Sequence, residues 1–380
     1  MKEYPLFKTI AVIGALSLTT LLAACTNGSE TESRPVPKSH ADRPFEVQGK
    51  SIKESLTIGA IGDILIHDLV YEDAKSSDGY NFNPMFEPVK DLLQAPDILT
   101  ANQESLVGGT ELGISSYPSF NSPFELSEAV INSGVDIVST ANNHSLDKGY
   151  RGVEKQIAYF EKISLPYVGT AVSQEGRDKV TVLKKNGIRL AFLSYTYGTN
   201  GIPIPQGKAF SVNLIDRELM KKDIAKARQE SDVVIASMHW GNEYQRYPTD
   251  EQKDLAKFLA GEGVDIIFGS HPHVLQPMEW IERSDGKKTF VVYSLGNFIS
   301  AQVRDYKDIG GLVTLEITKT ISEKGTTVEL ANPSFHPTFV YRKNGRNFRV
   351  VPMEKTGAYG ISTPEQMTLE TIEHMTQWLR

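Results

Sequence analysis

The chain has 380 residues, 40% of them hydrophobic and 23% charged, ample apolar material for one large or two ordinary globular domains. A formal net charge of -7 gives no sign of a nucleic-acid partner, and an anionic substrate would be met only through a local cationic feature such as bound metal. The single cysteine excludes an internal disulfide framework and any cysteine-based zinc site.

The first residues read as an address. Lys2 and Lys8 mark a short charged start, and residues 10–24 follow without a charge. That length suits a signal-peptide core better than a membrane span, which needs about 20 apolar residues. The stretch ends Leu22-Ala23-Ala24-Cys25, which resembles the lipobox of bacterial lipoproteins. The resemblance implies cleavage after residue 24 and acylation of Cys25; an ordinary signal peptide with an incidental cysteine is the bland alternative. Residues 25–54 are rich in Ser, Thr, Glu, Pro and Lys and bury too little to offset ordering, so a flexible tether is expected. The protein is expected outside the cytoplasm, lipid-anchored to the bacterial cell membrane. A folded domain is expected over 55–355, with a tail or helix over 356–380.

From Leu56 onward a short apolar run repeatedly precedes a polar loop. Residues 56–61 lead into Gly62-Asp63 and His67, 96–99 into Asn102-Gln103-Glu104, and 135–138 into Asn142-Asn143-His144 and Asp147. Residues 233–236 lead into His239-Trp240-Gly241-Asn242-Glu243, 264–268 into His271-Pro272-His273, and 290–293 into Gly296-Asn297. Runs this short and this rich in Val and Ile predict buried strands. Amphipathic stretches at 127–133, 152–163, 216–230 and 249–261 predict intervening helices. The last opens on Thr249 as N-cap, with Gln252 three residues on. Such alternation predicts an α/β fold with largely parallel strands, whose carboxyl-end loops converge on one site. Asn186-Gly187 predicts a hairpin, 311–352 added antiparallel strands, and 363–380 a terminal helix. Residues 133–138 and 262–267 share one construction, Gly-Val-Asp after a helix, and Asp68, Asp136 and Asp265 are expected as caps or solvated residues.

Five of the eight histidines, His67, His144, His239, His271 and His273, fall in these loops. Imidazole is the commonest protein ligand for borderline metals, and nearby carboxylates or amides complete such shells. Each histidine alone reads more simply as a satisfied structural residue. Five in four loops point to a metal site, with a metal-free polar rim as the alternative.

In this order, Asp63, Asn143-His144, His239 and His271-Pro272-His273 resemble the signature of the calcineurin-like metallophosphatases. The fuller strings Gly-Asp-Ile-Leu, Ala-Asn-Asn-His-Ser-Leu-Asp-Lys-Gly, His-Trp-Gly-Asn-Glu, Ser-His-Pro-His-Val and Tyr-Ser-Leu-Gly-Asn-Phe resemble the CapA family of poly-γ-glutamate capsule proteins. The resemblance implies a two-sheet β-sandwich flanked by helices, with two divalent metal ions (Mn, Fe or Zn) at the strand ends. On that pattern Asp63, His67 and His273 would hold one ion, Asn143, His239 and His271 the other, and Glu104 would bridge them. His144 would stay uncoordinated, as the acid that protonates a leaving group. Asn102, Asp147, Asn242, Glu243 and Asn297 would touch substrate or orient the ligands. Two departures matter. Leu65 stands where the phosphatase signature has histidine, which leaves His67 equally readable as a loop histidine, and Glu104 replaces the bridging aspartate.

Two functions fit these residues. One is a metal-dependent hydrolase or transferase of the cell envelope, acting on poly-γ-glutamate or a related surface polymer. The other is a non-catalytic, membrane-anchored component that binds the nascent acidic polymer beside the membrane proteins of capsule synthesis. A solute-binding lipoprotein fits less well, since no second α/β lobe is evident. A free histidine beside a ligand, as in Asn143-His144, is what leaving-group protonation requires and what pure binding does not.

Overall fold

A computed structural model describes residues 51–379. The expected signal peptide, the lipidation site Cys25 and nearly all of the expected tether lie outside the described residues. No helix among the described residues is long and apolar enough to cross a membrane.

The chain opens with β1 (Ile52–Ile64), a small hairpin of β2 (Lys75–Ser76) and β3 (Gly79–Tyr80), then β4 (Ile98–Gln103), β5 (Ile137–Ser139) and β6 (Tyr167–Val168). There follow β7 (Thr181–Lys185), β8 (Ile188–Thr196), β9 (Val233–His239), β10 (Ile266–Ser270), β11 (Leu275–Glu282) and β12 (Lys288–Leu295). The last strands are β13 (Asn297–Ile299), β14 (Ile309–Ser322), β15 (Gly325–Lys343) and β16 (Arg346–Pro352). One sheet has the order β16-β15-β14-β1-β4-β5-β6, with β13 pairing β1; the other has the order β11-β12-β10-β9-β8-β7.

The strands that lead to the site are parallel: β1, β4, β5 and β6 in the first sheet, β8, β9, β10 and β12 in the second. Antiparallel strands stand at the margins. The β7–β8 hairpin turns through Asn186 (φ 47°) and Gly187 (φ 75°), the two left-handed residues that a type I′ turn requires. β14, β15 and β16 form the antiparallel extension expected from residues 311–352.

Side-chain alternation explains the layering. Leu56, Ile58 and Ala60 of β1, Ile98 and Ile137 pack with Leu190, Phe192, Val233, Ile235 and Ile266 of the other sheet in one buried cluster. The opposite face of the first sheet, through Leu99, Ala101 and Val138, meets Phe86, Leu126 and Val130 of the intervening helices. The opposite face of the second sheet, through Val234, Ala236, Met238 and Ile267, meets Met220 and Ile224 of the helix Arg217–Glu230. Leu255 and Leu259 of the helix Asp250–Glu262 complete that cluster. The result is a two-sheet β-sandwich flanked by helices. Because both faces of each sheet are covered, the central strands are continuously apolar. Each buried Val, Leu, Ile or Phe contributes roughly 1.5–3 kcal/mol relative to exposure.

The expected aspartate caps belong to a larger set. Asp136 accepts from Leu99 N at 2.8 Å, and Asp265 accepts from Val234 N at 2.8 Å. Asp97 does the same for Thr57 N at 2.8 Å, and Asp232 for Arg189 N at 2.9 Å. All four stand just before an apolar run and tie the start of one parallel strand to its neighbour, which fixes register at the end opposite the site. Thr249 and Gln252 form a reciprocal capping box, and Gly134 and Gly263 are left-handed C-caps at φ 118° and 102°. The tail segment holds a helix, Pro364–Thr376, whose His374 reaches the Leu275 carbonyl and whose Met375 joins the core between the sheets.

Candidate metal centre at the strand ends

The strands run further than their apolar stretches indicate, so Asp63, Asn102 and His239 are strand residues rather than loop residues. The reason is pairing. Asp63 aligns with Asn102 on one side and Asn297 on the other, and His239 aligns with Ser270. Backbone hydrogen bonds therefore hold these side chains on rigid elements.

Gly62 aims Asp63. The register between β1 and β4 slips between Ile61 and Asp63, a bulge that breaks the alternation of β1. A Cβ at Gly62 would lie 1.9 Å from the Gly296 carbonyl oxygen, so no other residue admits this approach of β1 to the Gly296 turn. Beyond the bulge Ile64 joins the helix-covered core, and the next position on the face of Asp63 belongs to buried Leu65.

Asp63 Oδ1 accepts from Asn102 Nδ2 at 2.8 Å, and Asp63 Oδ2 lies 3.0 Å from His273 Nδ1. His239 Nδ1 lies 3.0 Å from Ser270 Oγ, and its Nε2 lies 2.8 Å from Asn143 Oδ1. Asn143 keeps that oxygen inward by donating from Nδ2 to Asn200 Oδ1 at 3.2 Å. With the His239 proton on Nε2, that atom and the amide oxygen share a hydrogen bond; with it on Nδ1, facing Ser270, both lone pairs point at one place that a cation would complete.

Glu104 lies at the middle. It has no exposed surface, and neither carboxylate oxygen has a hydrogen-bond partner. Its Oε1 lies 3.5 Å from His239 Nε2 and 3.8 Å from His273 Nε2, and ligand atoms of Glu104, His271 and His273 fall within 4.8 Å of one another. Burial, then the nearby charges of Asp63 and Glu243, push the Glu104 carboxyl well above its usual range. His271 Nδ1 is also buried without a partner. Burial holds His271 neutral, with its pKa lowered to about 4, and lowers His239 as well. Neutral imidazoles and a carboxylate whose lone pairs are not engaged elsewhere are the form in which these groups bind metal. The chain's own residues fit divalent ions.

The backbone follows the same demand. His271 has φ 97° and His273 has φ 58°, left-handed values that non-glycine residues adopt at a cost of about 1–3 kcal/mol each. The Pro272 turn points both rings into the site by this means.

His67 stands at the edge of this cluster, near enough to His273 and His144 for their charges to bear on it. Its Nδ1 lies 3.2 Å from the Leu65 carbonyl oxygen and 3.4 Å from Ser300 Oγ, and burial lowers its pKa to about 4. Phe120 packs edge-on against His67 at 5.1 Å and against His144 at 4.7 Å. His144 Nδ1 lies 2.8 Å from Asp147 Oδ2, which also accepts from Phe120 N at 2.5 Å. Asp147 thus holds the ring, leaving Nε2 for a ligand.

Asn297 is fully buried and donates to Gln302 Oε1 and the Lys307 carbonyl, while its Oδ1 has no partner. Asn242 and Glu243 are exposed and line a cavity beside His271. Sequence reading overlooked Tyr197, whose ring lies 4.7 Å from that of His271, and Asn200, which contacts Asn143 and lies 3.5 Å from His144 Nδ1. The signal was present: Thr196-Tyr197-Gly198-Thr199-Asn200 is a polar loop after the apolar run of β8, like those that were singled out.

Among curated proteins, the PGA biosynthesis protein CapA of Bacillus subtilis is 29% identical over 254 residues, covering 65% of this chain and 64% of that protein. The capsule biosynthesis protein CapA of Bacillus anthracis is 30% identical over 259 residues, covering 66% of this chain and 61% of that protein. The alignments thus span less than two thirds of either relative. Among solved structures, Haemophilus influenzae NAD nucleotidase aligns with a TM-score of 0.45 at 11% identity, over 86% of this chain and 64% of that one. The 5'-nucleotidase precursor of Thermus thermophilus aligns with a TM-score of 0.42 at 14% identity, over 83% of this chain and 59% of that one. The family model of the bacterial capsule synthesis protein PGA_cap matches residues 57–302, a span that begins within β1, runs past Asn297 and takes in Asp63, Glu104, Asn143, His144, His239, His271 and His273. The chain belongs to that family.

Proposed function

We propose that this protein is a surface-anchored component of capsule synthesis whose strand-end site holds two divalent metal ions and cleaves or transfers a bond in poly-γ-glutamate or a related acidic polymer. The observation that carries the proposal is Glu104, a fully buried carboxylate with two unpaired oxygens among imidazoles. An uncompensated buried charge costs several kcal/mol, so such a carboxyl either takes up a proton, as the raised pKa of Glu104 allows, or is completed by a cation, which the neutral imidazoles around it favour.

Asp63 and His273 would hold one ion and Asn143, His239 and His271 the other, with Glu104 between them. Such ions, when bound, polarise an acyl or phosphoryl oxygen and lower the pKa of water. The remaining work falls to the chain. Asn102 and Ser270 fix the orientations of Asp63 and His239. His144, oriented by Asp147, donates its proton from Nε2 to the departing amine or alkoxide.

Elemental analysis of the domain after supplementation with Mn, Fe or Zn tests this. About two equivalents are expected, and His271→Ala should lose metal without loss of fold. His67→Ala decides the occupancy of the first ion's shell: reduced stoichiometry makes His67 a ligand, and unchanged stoichiometry leaves it a wall residue beside Phe120. A wild-type domain that takes up no metal sinks the reading.

The anchor is a separate part of the proposal. Cys25 as the lipidated N-terminus would hold the site on the outer face of the membrane, next to the membrane proteins that extend or export the polymer. Cys25→Ala is expected to lose fatty-acid labelling and to leave the membrane fraction. Unchanged labelling of that variant would remove the anchor and leave the metal site untouched.

A further inference from the structure

The cleft beside His271 carries a charge opposite to what a polyanion would select. As the chain leaves β9 past Trp240, Gly241 takes φ 82°, and a Cβ there would sit 2.4 Å from Gln252 Oε1. The absence of a side chain lets the loop lie against the first turn of the helix Asp250–Glu262, so that Glu243 and Glu251 line one cavity. Its volume is about 490 Å³. His271, 4% exposed and with Nδ1 unpartnered, forms the wall it shares with the metal centre. Tyr197 and Asn242 line it as well, and among the described residues no lysine or arginine does.

We propose that this cleft is a subsite for a primary ammonium group of the substrate, held next to the reacting centre by Glu243, Glu251 and the face of Tyr197. The inference rests on the metal-site reading above and specifies which part of the substrate enters first. A polymer with one carboxylate per residue meets two carboxylates here and is repelled along its length. Its amino terminus, or the amine of a separate acceptor, is attracted. Carboxylates bind ammonium through charge-assisted hydrogen bonds, and a tyrosine face adds cation–π attraction. Glu243 and Glu251 supply the attraction, and ions held behind His271 would repel the ammonium and so keep it on the carboxylate side of the cleft.

Calorimetric titration of the metal-supplemented protein tests the proposal with three probes: γ-linked triglutamate with a free amino terminus, its N-acetyl form, and lysine amide. The free-amine triglutamate should bind at least about tenfold tighter than the acetylated one, a difference of ~1.4 kcal/mol. The doubly substituted Glu243→Gln, Glu251→Gln protein should bind the two forms equally. Both residues are exposed, so the fold is expected to persist. Lysine amide that binds wild type but not the double variant, with no preference between the triglutamates, would assign the ammonium to an acceptor amine. If no probe distinguishes wild type from the double variant, the subsite is overturned. Metal content of the same samples separates the two readings. Metal without amine preference removes the subsite alone, and amine preference without metal removes the metal-site reading alone.

Discussion

Glu104→Gln is expected to make the metal-free protein more stable while removing its tight metal binding. In the wild type, a carboxylate with no exposed surface has no hydrogen-bond partner, and burial raises its pKa well above the ordinary 4.5. A raised folded-state pKa means that the folded form holds this proton more tightly than the unfolded chain does. The stability tied to it is therefore full below pH 4.5 and is lost as pH rises through the unfolded value toward the folded one. Glutamine has nearly the same shape and no charge, and its amide can donate to His239 Nε2 or His273 Nε2, the atoms near Glu104 Oε1. At neutral pH the chelated variant should exceed the chelated wild type by roughly 1–3 kcal/mol, the usual scale for a buried unsatisfied group. The difference should shrink in acid. With metal present the order reverses, because a bound ligand stabilises only the protein that holds it. Urea denaturation of both proteins, with and without chelator at several pH values, reads all four quantities. A wild type that is the more stable of the two without metal at neutral pH would mean that Glu104 is already satisfied, and the cation reading would fail.

His144→Gln should retain metal and lose turnover by about 10²–10⁴-fold, the usual contribution of a general acid. The ring is buried and its Nδ1 is engaged by Asp147, whose carboxylate is itself held by the Phe120 amide. Glutamine fills similar space and cannot supply the proton. If the site merely clamps an acidic polymer, the variant should support capsule production nearly as well as wild type, while His239→Ala abolishes it. One complementation experiment with wild type, His144→Gln and His239→Ala therefore separates catalysis from clamping. A fully active His144→Gln protein would overturn the catalytic assignment and leave the metal centre standing.

The sequence by itself determined the alternation of strands and helices. A buried Val- and Ile-rich run can end only where polar residues begin, and local caps such as Thr249-Gln252 and Asn186-Gly187 depend on neighbours a few residues away. It also marked strand-end loops that meet around Glu104, because histidines recur in four of them. It did not show the aspartate ties at Asp97 and Asp232, whose partners Thr57 and Arg189 lie 40 and 43 residues away in the chain.

Only the tertiary structure decided what those loops hold. The bulge at Gly62 turns Asp63 toward His273, 210 residues distant, and the pairing of β1 with both β4 and β13 sets Asp63 between Asn102 and Asn297. His67, close to Asp63 in sequence, is instead carried toward Phe120 and Ser300, since the turn after β1 directs it there. Tyr197 and Asn200 came into view only when β8 was laid beside β9, which brings their loop against His271 and Asn143. Spacing along a chain determines which face of a strand a residue occupies. The convergence of four separate strand ends on one buried carboxylate depends on how two sheets pack, and that is settled by contacts between residues far apart in the chain.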